Sequence, residues 1–154
     1  MFRPVPAVVA VLPLLVVTAC IYATGLDRSP AYLVHDEVVY ALNAHSIGST
    51  GRDLSGQFLP VSIYVSDTFF ATPINIYFTA IFLRLFHVSE VMIRLPTVVM
   101  SLVNVALVFL IARRLFAGVG LPMVAAAILA LTPAHFINGC LGTDHVYLVT
   151  VVLA

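Results

Sequence analysis

Three residues that can carry charge or protons stand together at His35, Asp36 and Glu37, in a chain that otherwise avoids charge. A carboxylate can take the proton of an acceptor hydroxyl, or stay ionised beside a cationic centre. Asp36 and Glu37 are therefore candidate catalytic residues. Neighbours on a helix point about 100° apart, so the two acids would not act as one paired carboxylate. Helical spacing puts Asp36, Tyr40 and Asn43 on one face and Val38, Val39 and Leu42 on another. A helix resting on a membrane would bury the valines and turn Asp36, Tyr40 and Asn43 to the polar side. The alternative is capping, with Asp36 as N-cap and Glu37 in the first turn. Asp144, beside His145 at the start of a late apolar run, is the third candidate acid, since an ionisable residue at a bilayer boundary is a functional candidate. Its other role is to start the next helix. Arg94 carries the charge to hold a phosphate; snorkelling or an i, i+4 pair with Glu90 are its structural alternatives. His35, Asp36, Glu37, Asp144 and His145 could gather a divalent metal, but no tight ligand spacing such as H-E-x-x-H occurs. No metal ligand is assigned and the cofactor stays open.

The elements that must hold these residues are apolar. Val5 to Thr24 runs about 20 residues without a charge, enough to cross a hydrocarbon core of ~30 Å. Arg3 before it points to a cytoplasmic N-terminus. Residues 25–67 hold five of the seven acids. Within them Ser29–Pro30 reads as a turn or helix start, Asp36 to Ile47 as a helix ending at Gly48, Ser49 to Gly56 as a loop, and Gln57 to Val65 as a stretch that can be extended. Pro73 to about Phe86 reads as a helix too short to cross, lying in the interface with Arg84 snorkelling. Glu90 to Ala112 and Ala117 to Phe136 read as two further spans, with the basic pair Arg113–Arg114 between them. His145 to Ala154 opens another.

Charge bias places Arg113–Arg114 in the cytoplasm. If 5–24 exits and 90–112 returns, the helix at 73–86 stays outside within one long outer loop, 25–89. Asp144 then emerges on the same face as Asp36. The expected fold is all-α: the N-terminal part of one polytopic transmembrane domain, with spans near 5–24, 90–112, 117–136 and 145–154, and two juxtamembrane helices in the first outer loop.

Composition agrees. The chain has 154 residues, 62% hydrophobic and 9% charged, with a net charge of zero and no Lys or Trp. Soluble domains carry about 25% charged residues. No basic surface exists to track phosphates, which excludes nucleic acid as a partner. "VTAC" at Val17–Cys20 has the look of a lipoprotein cleavage box, but a chain embedded by its own apolar runs needs no lipid anchor.

The order of "HDEVVYALNAHSIGSTGRD", "TPINIYFTAIFLRLFHVSEVMIRLPTVVMSLVNVALVFLIARRLFAG" and "LTPAHFINGCLGTDHVYL" resembles the N-terminal part of the polyprenyl-phosphate-dependent GT-C glycosyltransferases. The branches it is most similar to are bacterial relatives of the dolichyl-phosphate-mannose protein mannosyltransferases and the aminoarabinose lipid A transferases. The resemblance implies that Asp36 is the catalytic acid or base, Glu37 its motif neighbour, Asp144 a second acid lining the site, and Arg94 the Arg of an "RLP" element. Tyr40 and His35 are candidate substrate-binding residues beside them. Two positions depart from the aminoarabinose branch: Val39 stands where it has Arg, and Thr72 where it has Lys. A hexose donor becomes the more plausible one.

The expected function is transfer of a hexosyl or pentosyl group from a polyprenyl-phosphate donor to a lipid, glycan or protein acceptor. It would occur at the outer face of a bacterial inner membrane, in a multi-pass protein contacting membrane lipids, with this segment inactive alone. The rival readings are a transporter or channel subunit and a non-catalytic membrane scaffold. Transporters place ionisable groups mid-span, whereas these spans are nearly free of charge.

Overall fold

The computed structural model describes residues 7–28, 30–66 and 69–154. Arg3, Pro6, Ser29 and Asp67 lie outside the described residues, and so does the topological signal read from Arg3. The elements run α1 (Ala7–Ala23), α2 (His35–Thr50), β1 (Ile63–Ser66), β2 (Phe69–Ala71), α3 (Pro73–Leu85), α4 (Glu90–Leu115), α5 (Gly120–Leu131), α6 (Pro133–Gly139) and α7 (His145–Leu153).

The longest helix organises the rest. α4 has 26 residues and is long and apolar enough to cross a membrane. Ser89 starts it by accepting the Met92 amide on its side chain, as a serine N-cap does. Glu90 in the first turn and Arg113–Arg114 in the last match the helix dipole. Along its length α4 packs against α1, α3, α5 and α7. One stripe of it is polar and fully buried: Thr97, Ser101 and Asn104. The Ser101 hydroxyl bonds within its own helix, to the Thr97 carbonyl. Asn104 instead donates across to the Val146 carbonyl of α7 at 3.0 Å. Small and hydrogen-bonding residues of this kind let helices approach closely in an apolar surrounding.

The bundle core lies between α1, α4 and α5, where Val11, Val105, Phe109, Ala126 and Ala130 meet. Outward faces stay apolar: Val16, Val17 and Ile21 on α1, Val124 and Ile128 on α5, and Leu148 and Val152 on α7 are all exposed. Apolar surface this extensive marks contact with something other than water.

A second core sits over one end of the bundle. α2 and α3 pack side by side, with Tyr40, Ala44, Ile47, Ile76, Ala80 and Leu83 between them. The antiparallel β1–β2 pair, registered Ile63 to Ala71 and Tyr64 to Phe70, adds the fully buried Ile63. The chain is mostly helical, as expected of an all-α protein, and this hairpin is the exception. Its β-branched and aromatic residues favour a pleated pairing.

Three expectations are corrected. First, α2 does not stop at Gly48 but continues to Thr50 and caps at Gly51, φ 73°. A Cβ on Gly48 would lie 2.9 Å from the Ala80 carbonyl oxygen, so this glycine serves the close approach of α3 rather than a turn. Second, Tyr40 and Asn43, expected on the polar side of α2, are buried, Tyr40 in the core shared with α3. Val38 and Leu42 are exposed on the face expected to rest on a membrane. Third, the segment expected to span as 117–136 is broken. α5 and α6 meet at a 61° bend, and only together do they pass as one membrane-length element. Pro133 has no amide to continue the α5 ladder. Thr132 bonds back to Leu129, and the Ala130 carbonyl is taken by the Tyr22 hydroxyl of α1 at 2.9 Å.

Candidate active site

The first candidate acid to be placed is Glu37. It is the third residue of α2, and its carboxylate reaches back to accept the Val34 amide at 3.0 Å. The N-cap is therefore Val34 rather than Asp36, and the capping acid is Glu37. The same carboxylate accepts Arg94 Nε at 2.9 Å and Nη2 at 3.2 Å, and the Gly142 amide at 2.7 Å. Both charged side chains of the pair are 0% exposed.

Arg94 is saturated as well. Besides Glu37, its Nη1 donates to the carbonyls of Leu26 at 2.6 Å and Pro30 at 3.2 Å, and its Nη2 to that of Tyr32 at 3.3 Å. A guanidinium has five N–H donors, and every one is committed. The i, i+4 pair with Glu90, one of its structural alternatives, does not form: the partner lies 57 residues away on α2. Arg94 also does not offer a free phosphate grip. It ties Leu26, Pro30, Tyr32 and the start of α2 to α4, and Glu37 in turn holds the 140–144 connector through Gly142.

Gly142 is the piece that sequence reading missed. Its amide meets Glu37, and a Cβ there would stand 3.1–3.4 Å from Ile93 and Glu37. The signal in the sequence was the small-residue run "NGCLGT" next to Asp144.

Asp144 precedes α7, and its backbone carbonyl accepts the Tyr147 and Leu148 amides. Its side chain does not cap the helix. Instead Oδ2 accepts the Thr72 hydroxyl at 2.8 Å, while Oδ1 lies 3.9 Å from His145 Nδ1. The Asp144 side chain is 13% exposed. Asp36 and His35 are exposed at the start of α2.

The connectors carrying Asp36 and Asp144 come to one end of the molecule. Tyr40, one turn further along α2, is buried in the core shared with α3. Its acidity is pushed down, with the pKa raised to about 12, first by burial and then by the negative charges of Asp144 and Asp36. Tyr40 is thus a buried phenol that keeps its proton, although it was expected on an exposed face. Next to the Arg94 clamp lies a cleft of about 400 Å³, lined mainly by apolar groups of Leu26, Pro30, Val34, Phe136, Ile137 and Leu141. Among the described residues, no group of three or more His, Cys, Asp and Glu side chains gathers as a metal site would require.

The build is that of an apolar helical bundle with its acids collected at one end, next to an apolar cleft. The family model described as dolichyl-phosphate-mannose-protein mannosyltransferase matches residues 71–154. That is more than half of the chain, and the chain belongs to this family of membrane glycosyltransferases. Thr72, Arg94, Gly142 and Asp144 fall inside the matched segment; His35, Asp36, Glu37 and Tyr40 precede it. Comparison with the curated proteins and with the solved structures found no match.

Proposed function

We propose that the chain is part of a multi-pass glycosyltransferase that takes a sugar from a polyprenyl-phosphate donor at the outer face of a bacterial plasma membrane. Asp36 takes the proton of the acceptor hydroxyl as that oxygen bonds to the anomeric carbon. The bond from that carbon to the phosphate oxygen breaks, and its electron pair leaves with the polyprenyl phosphate. Asp144 stays ionised beside the electron-poor anomeric carbon. Glu37 and Arg94 hold the two connectors in register rather than touching the sugar. The apolar cleft beside them suits the first isoprene units of the donor. In this reading the N-terminus is cytoplasmic, α1 and α4 cross the membrane, and the α5–α6 pair crosses as one bent span.

The observation that carries the proposal is that the 2.7 Å hydrogen bond from the Gly142 amide to Glu37 draws the connector bearing Asp144 against the start of α2, which bears Asp36, at one end of an apolar bundle. A transporter reading lacks comparable support, because the fully buried ion pair sits at the ends of α2 and α4 rather than mid-span.

The test uses the full-length protein in membrane vesicles with polyprenyl-phosphate [³H]mannose. Asp36→Asn is expected to lower transfer by about 10²-fold or more with insertion unchanged. Undiminished turnover in that variant would remove Asp36 from the reaction.

A further inference from the structure

Thr72 occupies the N-cap of α3, where a threonine ordinarily gives its side-chain oxygen to an amide of the first turn. It makes no such bond. The first helical residue is Pro73, which has no amide to offer. Instead the Thr72 hydroxyl donates to Asp144 Oδ2 at 2.8 Å, across 72 positions of sequence. A hydroxyl has one proton to give, and this one is committed to the carboxylate. Among the described residues, Thr72 is the hydrogen-bond donor within reach of that carboxylate. His145, at 3.9 Å and with a side chain 64% exposed, is too distant for a hydrogen bond and is a weak restraint.

We infer that Thr72 is the positioning residue of Asp144: it pins Oδ2 so that Oδ1 is the oxygen presented to the sugar. The inference rests on the proposed glycosyl transfer, and it adds a residue whose role is orientation. A hydrogen bond to an ionised oxygen is short and strong. It fixes the carboxylate plane without a second charge that would compete for the electron-poor centre. The residue type matters more than the size of the side chain, since valine fills the same space without a donor and serine keeps the donor with less bulk.

The experiment compares Thr72→Val, Thr72→Ser, Asp144→Asn and the Thr72→Val/Asp144→Asn double variant, all as full-length protein in vesicles. Infrared spectra of protein carrying ¹³C-labelled aspartate give the first readout, with Asp144→Asn identifying the Asp144 carboxylate bands. Those bands should shift in Thr72→Val and stay in place in Thr72→Ser. Turnover at saturating polyprenyl-phosphate [³H]mannose gives the second. kcat should fall by about tenfold or more in Thr72→Val, with KM unchanged. Thr72→Ser should restore it, and the double variant should be no slower than Asp144→Asn alone. Because the Thr72 side chain caps no α3 amide, α3 should stay intact in Thr72→Val, and melting should fall only by what the lost bond to Asp144 contributes; Thr72→Ala serves as the second donor-free variant should valine prove too bulky. An unmoved carboxylate band, or a valine loss that persists after Asp144 has been removed, overturns the inference. Full turnover in Asp144→Asn strikes at the proposed function instead, so the two failures differ.

Discussion

A guanidinium taken wholly out of water is tolerated when each of its donors finds an acceptor and a counter-charge sits beside it. Arg94 meets both conditions through Glu37 and the carbonyls of Leu26, Pro30 and Tyr32. Removing one partner leaves the other charged and buried, which costs about 3–5 kcal/mol. Arg94→Leu should therefore lower the melting temperature in detergent sharply, and Arg94→Leu with Glu37→Leu should recover part of the loss. Tyr40 gives a second prediction at this scale. Its pKa is raised to about 12, against about 10 in the unfolded chain. The folded state keeps the phenolic proton where the unfolded state has lost it. Its contribution to stability is therefore whole below pH 10 and is lost as pH rises toward 12. Tyr40→Phe should show a shallower decline than the parent in this window when unfolding is followed by near-ultraviolet absorbance. Residues of this kind were legible in the sequence by type but not by partner. Glu37, Asp144 and Arg94 stood out because charge is scarce in the chain. Arg94's counter-ion was not visible, since pairs made across 57 residues leave no periodicity to read.

Helix boundaries were legible where local chemistry set them and were lost where packing did. α4 begins at Ser89 and Glu90, as its composition suggests, and α3 begins at Pro73. α2 was read as ending at Gly48, because a glycine after an apolar stretch signals a stop. There the demand for close contact with α3 outweighed the local signal, and the same contact takes Tyr40 out of the polar surroundings expected for it. The glycine gives a direct check. Gly48→Ala would press a methyl against the Ala80 carbonyl oxygen, 2.9 Å away, and should destabilise the α2–α3 unit by about 1–3 kcal/mol. Gly120→Ala, with nothing within 4 Å, should be close to neutral. Hydrogen exchange on α2 and α3 amides would report the first, and on α5 amides the second.

The arrangement of the whole molecule follows from where its connectors meet. The Glu37–Gly142 and Thr72–Asp144 hydrogen bonds bring segments 105 and 72 residues apart to one end of the bundle. The sequence argued for this meeting through charge bias and counting of spans, and the family resemblance pointed the same way. What it did not carry was the bend between α5 and α6, because a Thr–Pro step inside an apolar run leaves open whether the ladder bends or stops. Reporter fusions placed after Arg114 and after Asp144 should fall on opposite sides of the membrane; both on one side would contradict the crossing of the α5–α6 pair.

That bend also orders events in time. The Ala130 carbonyl exposed at the break is satisfied by Tyr22, whose hydroxyl keeps one proton for that oxygen and takes a second hydrogen bond from His135 Nδ1 at 2.8 Å. The ribosome makes the tyrosine more than a hundred residues before the carbonyl it serves. In the proposed topology the first helix is in the lipid as a ready-made receptor, and the kinked segment finds its seal on arrival instead of passing through hydrocarbon with an open backbone group.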